Sequence, residues 1–133
     1  MNPQEARERF AGARVARLAS ADADGIPHIV PLVFALDGDT IYSAVDPKPK
    51  RTTDLKRLRN VVENPRVALL ADHYADDDWG VLWWARADGT GRVLDASPEA
   101  VALLRERYAQ YRDAPPDGPV LVIDVRRWSG WSA

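Results

Sequence analysis

The three lysines of this 133-residue chain, Lys48, Lys50 and Lys56, fall close together, although 15 of its 18 basic residues are arginine. The stretch around them, PKPKRTTDLKRLRNVVENPRVALL (residues 47–70), reads as a basic loop that opens a helix and then feeds a buried strand. Thr52 or Thr53 can cap that helix, and Asp54 would set an anion at the positive end of its dipole. Leu55, Leu58 and Val62 recur at helical spacing and would face a core, with Lys56, Arg57 and Arg59 pointing elsewhere. Asn64-Pro65 stops the helix. A cationic loop beside the unsatisfied N–H groups of a helix start binds a phosphate or carboxylate well. The plainer reading of the same residues is a solvated basic face.

Other reactive groups are scarce. There is no cysteine, hence no disulfide framework and no thiolate chemistry. His28 and His73 stand in no metal-ligand spacing, and His28, following Pro27 within a strand, suits a hydrogen-bonded structural role better than that of a base. Ser20, Ser43, Ser97, Ser129 and Ser132 lie in no nucleophile elbow. Asp76, Asp77 and Asp78 lack the alternating spacing and glycine of a calcium loop and read as a surface turn. With so few nucleophiles and bases, a bound cofactor is the economical source of reactivity. All five tryptophans follow position 78. Trp83 and Trp84 are adjacent on an expected strand, so their side chains point to opposite faces. One of them therefore faces away from the interior, where the chain's own helix, a partner subunit or a flat aromatic ligand covers it. Trp79, Trp128 and Trp131 can join that surface.

The elements that must position these groups follow from turn signals and periodicity. A short helix is expected over residues 3–11, with Phe10 as its one large anchor. A strand over 13–21 then reaches the turn Asp22-Ala23-Asp24-Gly25. Its hairpin partner spans 26–36 (IPHIVPLVFAL), where Pro27 and Pro31 cannot donate to a ladder; this strand should lie at an edge or carry an interruption that faces a ligand. Asp37-Gly38-Asp39 turns into a strand over 40–45, and another follows over 66–72. Residues 81–87 and 91–95 read as two strands joined at Asp88-Gly89-Thr90-Gly91. Ser97-Pro98-Glu99 starts the clearest helix, with Val101, Leu104, Tyr108 and Tyr111 as its apolar stripe. The last core strand is expected over 120–125, with a tail RRWSGWSA.

Six or seven short strands with Asp-Gly turns and two substantial helices indicate a mainly β protein, an antiparallel barrel with flanking helices. The length fits one domain spanning 1–133. A formal net charge of −2 argues against a general polyanion binder, so any anion site is local. No Gly-x-Gly-x-x-Gly follows a strand, which excludes a parallel dinucleotide fold. No apolar run is long enough to span a membrane and the charged N-terminus is no cleavable signal, so the expected location is the cytoplasm.

The segments ARVARLASADADGIPHIVPLVFALDGDTIY, NPRVALLADHY and RADGTGRVLD resemble the split β-barrel proteins related to pyridoxamine 5′-phosphate oxidase, which bind FMN or the deazaflavin coenzyme F420. The likeness spans nearly the whole chain and is greatest to the F420-dependent flavin/deazaflavin oxidoreductase group. It implies a Greek-key barrel of the FMN-binding-protein type and a homodimer with cofactor in the groove between protomers. Two registers of the basic stretch are possible. One makes Lys50, Arg51 and Thr52, with Lys48 nearby, the phosphate binders; the other uses Lys56, Arg57 and Asn60. The loop is preferred because helix-start N–H groups point there. The resemblance further implies that Val30, Pro31, Leu32 and Val33, with Tyr42, Ser43 and Ala44, contact the ring. Trp79, Trp83, Trp84 and Arg86, with the Trp128–Trp131 tail nearby, would come from the second protomer. The expected activity is hydride transfer from reduced F420 to an oxidised organic acceptor, with water or a residue such as Tyr42 as proton donor. FMN as cofactor is the alternative. A non-catalytic cofactor or tetrapyrrole carrier and an oligonucleotide-binding barrel are the competing classes. The substrate-binding basic set of a vitamin B6 phosphate oxidase is not found outside the cofactor stretch.

Overall fold

A computed structural model describes residues 1–45 and 55–133. Along the chain run α1 (Pro3–Gly12), β1 (Ala16–Ala21), β2 (Pro27–Leu32), β3 (Ala35–Asp37), β4 (Thr40–Ala44), α2 (Lys56–Glu63), β5 (Arg66–His73), a 3₁₀ turn (Trp79–Val81), β6 (Trp83–Leu94), α3 (Pro98–Arg107), α4 (Ala109–Asp113) and β7 (Val120–Ser132). The strands form one antiparallel sheet in the order β2-β1-β5-β6-β7-β4-β3. Its two edge strands are consecutive in sequence, separated only by Val33 and Phe34. Laid flat, six strand spacings would part them by roughly 29 Å. Three residue steps cover at most about 11 Å. The sheet must therefore roll up, and a covalent link rather than a hydrogen-bond ladder closes the barrel.

Alternation along the strands divides the apolar residues between two cores. Leu18, Ile41, Leu69, Ala85, Ala87, Leu121 and Ile123 fill the interior, where Phe10 of α1 and Phe34 plug one end with ring centroids 4.8 Å apart. On the outer face of β3, β4 and β7, Ala35, Ala44, Val120 and Val122 pack against Ala100, Leu104 and Tyr111 of α3 and α4. Covered on both faces, β7 begins with four successive buried residues. The helix caps follow the sequence: Asn2 and Ser97 accept from the N–H of Glu5 and Ala100, each with proline at the start of its helix.

Several elements differ from the expected ones. The strand over 26–36 breaks at Val33-Phe34 into β2 and β3; β2 is an edge strand, as its prolines require. The segment over 13–21 is strand only from Ala16. Asp88-Gly89 is no turn. β6 runs unbroken from Trp83 to Leu94, and the register slips at Asp88/Gly89, where Arg126 of β7 has no residue opposite it. This is a β-bulge, and Gly89 permits it because a Cβ there would collide with the Asp124 carbonyl oxygen. β7 continues to Ser132, so the supposed tail is sheet. Trp128 is buried in the chain's own core, edge-on to Phe10 at 5.3 Å, with its indole N–H donated to Asp39 Oδ1 at 2.9 Å. α2 begins at Lys56 with Leu55 as its cap residue and no side-chain cap bond; Thr52 and Thr53, the expected caps, lie outside the described residues. Val61, not Val62, faces inward: it sits against the bare Cα of Gly91, where an added Cβ would be 2.9 Å from its methyl, while Val62 is 72% exposed.

Replacing Gly89 by alanine is expected to destabilise the fold by about 1–3 kcal/mol, through overpacking against Asp124. In an ordinary strand the same change would stabilise by roughly 0.5–1 kcal/mol, so urea unfolding distinguishes the two by sign.

Candidate functional site

The break that closes the barrel also opens a cleft. Pro31, Leu32 and Val33 form one wall, Ser43 and Ala44 at the end of β4 a second, and Val15 and Arg57 complete a cavity of about 340 Å³. Each wall has a cause in the sequence. Proline at 31 suits an edge strand that no partner extends. Where β2 ends, the Val33 carbonyl accepts from Ser43 Oγ at 2.8 Å, which ties the break to β4. Arg57 sits in the first turn of α2, whose Leu58 and Val61 are buried in the barrel core.

Tyr108 fixes the break from behind. Its hydroxyl accepts from the Phe34 N–H at 3.2 Å and stands 2.9 Å from the Phe34 carbonyl and 3.0 Å from that of Arg14. Arg107 lies over the Phe34 ring at 4.8 Å and donates to the carbonyls of Ala11 and Ala13. The backbone groups that the sheet leaves unpaired at its break are thus held by side chains of α3 and its C-terminal end. Val33 separates the cleft from a smaller hollow of about 90 Å³ bounded by Tyr108, Gln110 and Tyr111.

Of the residues expected to hold a cofactor, the structure gathers Pro31, Leu32, Val33, Ser43, Ala44 and Arg57 in one cleft. It places others elsewhere. Val30 packs against the barrel core. Tyr42 points to the opposite face of β4 from Ser43 and packs beneath α3, so it is no proton donor to this cleft. Asn60 is buried, 1% exposed, and donates its amide to Ser20 Oγ at 3.2 Å; it is a core polar contact. Lys56 is exposed at the start of α2. Lys48, Lys50, Arg51 and Thr52 lie outside the described residues. Trp79, Trp83, Trp84 and Arg86 line no part of the cleft in their own chain. Trp83 packs on the core under Arg9, while Trp84 lies opposite Trp131 with Arg86 over its ring, which bears out their opposite facing. Val15 and Tyr108 were not singled out for the site. Nothing in the sequence pattern marks Val15, and Tyr108 read as one more apolar position of a helical stripe. Among the described residues no cluster of histidine, aspartate and glutamate could hold a metal ion, and neither histidine lines the cleft.

The chain belongs to the pyridoxamine 5′-phosphate oxidase family, whose model matches residues 3–132. Its fold is the split barrel of that family. No curated protein matches the chain. Among solved structures it is similar to a conserved hypothetical protein, Rv2991, of Mycobacterium tuberculosis, at 20% identity over 99% of this chain and 85% of the other, with a TM-score of 0.74. It is similar to a FAD-binding protein of Mesorhizobium loti at 22% identity over 98% and 94%, TM-score 0.71. It also resembles HutZ, a heme storage protein of Vibrio cholerae, at 15% identity over 99% and 95%, TM-score 0.73. No helix is long and apolar enough to cross a membrane among the described residues.

Two outcomes follow. Tyr108→Phe leaves the Phe34 N–H without its acceptor and should cost about 1–3 kcal/mol, read by urea unfolding. Burial first, then the Glu99 and Asp37 carboxylates, raise the Tyr42 phenol above its ordinary value. The folded state thus holds that proton more tightly than the unfolded one. The resulting stability is present below about pH 10 and is lost as pH rises through the raised folded value. Tyr42→Phe should lose less stability than the natural chain between about pH 9 and pH 11.

Proposed function

We propose that the chain is an oxidoreductase that holds a flavin-type coenzyme in the Pro31–Arg57 cleft, with reduced F420 as the first candidate and FMN as the alternative. The observation that carries this is the convergence of an apolar wall, a polar edge and a guanidinium on one cleft. The Pro31–Val33 and Ala44 surfaces suit a flat ring, and Arg57 suits an acidic tail. Arg57 supports the helix register over the loop register expected from the sequence. A bound flavin or deazaflavin supplies two-electron hydride chemistry. The chain supplies position and a partly dry surface. Ser43 spends its proton on the Val33 carbonyl, so its remaining lone pairs, not its proton, face a ligand. Among the described residues no lining side chain is a fitting acid, so solvent is the proposed source of any proton the acceptor takes up.

The cavity is at the low end of small-molecule sites, so a coenzyme with ring and tail needs a further wall. A second copy of the chain is the proposed source. α3 and α4 cover the outer face of β3, β4 and β7, but among the described residues no helix covers the outer faces of β1, β2 and β5, where Ile29 is 67% and Leu70 37% exposed. A homodimer built on that face would bring Trp79, Trp84 and Arg86 of one protomer toward the cleft of the other. The Mesorhizobium relative, a FAD-binding protein, supports a flavin-class ligand. The heme storage relative suggests a non-catalytic carrier, but the absence of both histidines from the cleft lining argues against iron ligation there.

Fluorescence titration with F420 and with FMN tests the reading. One of them should bind, and Arg57→Gln should weaken it by about tenfold or more, the worth of a charge-assisted contact. If a Lys50→Ala/Arg51→Ala variant weakens binding while Arg57→Gln does not, the loop holds the tail and the helix register falls. If neither coenzyme binds the natural chain, the proposal is wrong. Light scattering should give twice the chain mass, reduced to one by Ile29→Asp.

A further inference from the structure

A second cavity lies on another wall of the barrel. Arg66 and Val67 of β5, Asp88, Gly89 and Thr90 of β6, and Arg126 of β7 bound about 470 Å³ and share no residue with the Pro31–Arg57 cleft. The cavity sits at the bulge. Arg126 is the residue left without a cross-strand partner between Arg127, opposite Asp88, and Val125, opposite Gly89. An extra residue sharpens the local twist and re-aims the side chain it carries. The bare Gly89 leaves backbone at the floor, and no other residue is accommodated there.

Arg66 is set in place from the other side. It follows Pro65, whose carbonyl accepts from the Gly91 N–H at 2.8 Å, and its own N–H reaches Asn64 Oδ1 at 3.4 Å. Two exposed arginines, Arg66 and Arg126, thus border one cavity in a chain of net charge −2. The neighbouring acids do not neutralise them. Asp88 is held by Arg86 Nε at 3.1 Å, and Asp124 by Arg92 Nε at 3.6 Å. Among the described residues no salt bridge or side-chain hydrogen bond engages the guanidinium of Arg66 or Arg126. Two arginines that border one cavity and have no ion-pair partner favour an anion there, and each planar fork can bind a carboxylate or phosphate in two-point fashion. Arginine carries its charged head on an apolar methylene stem, so an anion carried on an apolar body fits better than a bare ion.

We infer that the cavity between Arg66 and Arg126 is a second binding site, for a small organic anion: a phosphate monoester or carboxylate on an apolar body. The site shares no lining residue with the Pro31–Arg57 cleft, so loss of binding at one can be read apart from loss at the other. Its volume lies within the range of small-molecule pockets.

Phenyl phosphate and benzoate, titrated separately into the full chain at fixed ionic strength, test the proposal by calorimetry and by amide and arginine Nε–H NMR shifts. At least one should saturate, with shifts at Gly89, Thr90 and the two arginine side chains, and should weaken as sodium chloride is raised. The one that saturates identifies the headgroup. An Arg66→Gln/Arg126→Gln variant should bind at least tenfold more weakly while keeping its melting temperature and its affinity for F420 or FMN. Arg66→Lys/Arg126→Lys, which keeps charge but loses the fork, should fall between. Absence of saturable shifts at Gly89 and Thr90 in the natural chain overturns the inference, as does equal affinity in the Gln variant.

Discussion

The two residues that carry the chain from one sheet edge to the other, Val33 and Phe34, constrain the rest of the molecule. They are too short a link for an open sheet, so the strands roll into a barrel. They also interrupt the ladder, leaving backbone groups that other parts of the chain must satisfy. Ser43 answers for the Val33 carbonyl and Tyr108 for both polar groups of Phe34. Phe34 itself, stacked near Phe10 and beneath Arg107, seals the end of the interior. Closure of the barrel and formation of the cleft are therefore one event, and the side chains that stabilise the fold also fix the walls of the site.

Burial is unevenly distributed over the outside of the barrel. Where α3 and α4 lie, both faces of β4 and of the start of β7 are covered, and β7 opens with the apolar run Val120 to Ile123. Where no helix lies, β1 and β5 alternate between buried and exposed positions, and the exposed ones still include apolar side chains such as Leu70. Tyr42 and Ser43 mark the division: adjacent on β4, one packs under a helix and the other faces the cleft.

Much of the fold was legible because its signals are local. Asp22 to Gly25 and Asp37-Gly38-Asp39 turn where Asp-Gly requires it, with positive φ at Gly25 and Gly38. Ser97-Pro98 starts α3, and Pro27 and Pro31 put their strand at an edge. What was missed depends on packing between distant elements. Asp88-Gly89 carries the same letters as a hairpin turn, and only the Asp124 backbone beside it makes the glycine a bulge. Helical spacing from Leu55 and Leu58 pointed to Val62 as the core residue, whereas Val61 faces inward, into the space left by Gly91. The apolar and polar walls of the cleft were named in the sequence. The sequence reading preferred the loop; the place of Arg57 at the cleft depends on where α2 docks, which no local pattern shows. The bulge cavity has no sequence signature, since Arg66 and Arg126 are 60 residues apart and meet through β6 alone.

The central claim is that a flat redox ring lies against the broken strand, with its acidic tail toward Arg57. A crystal structure of the chain grown with F420 or FMN tests it most directly. The account predicts the ring against Pro31 to Val33 and Ser43, with an anionic group of the coenzyme within hydrogen-bonding distance of the Arg57 guanidinium. Coenzyme density that touches neither the β2–β3 break nor Arg57 would contradict it.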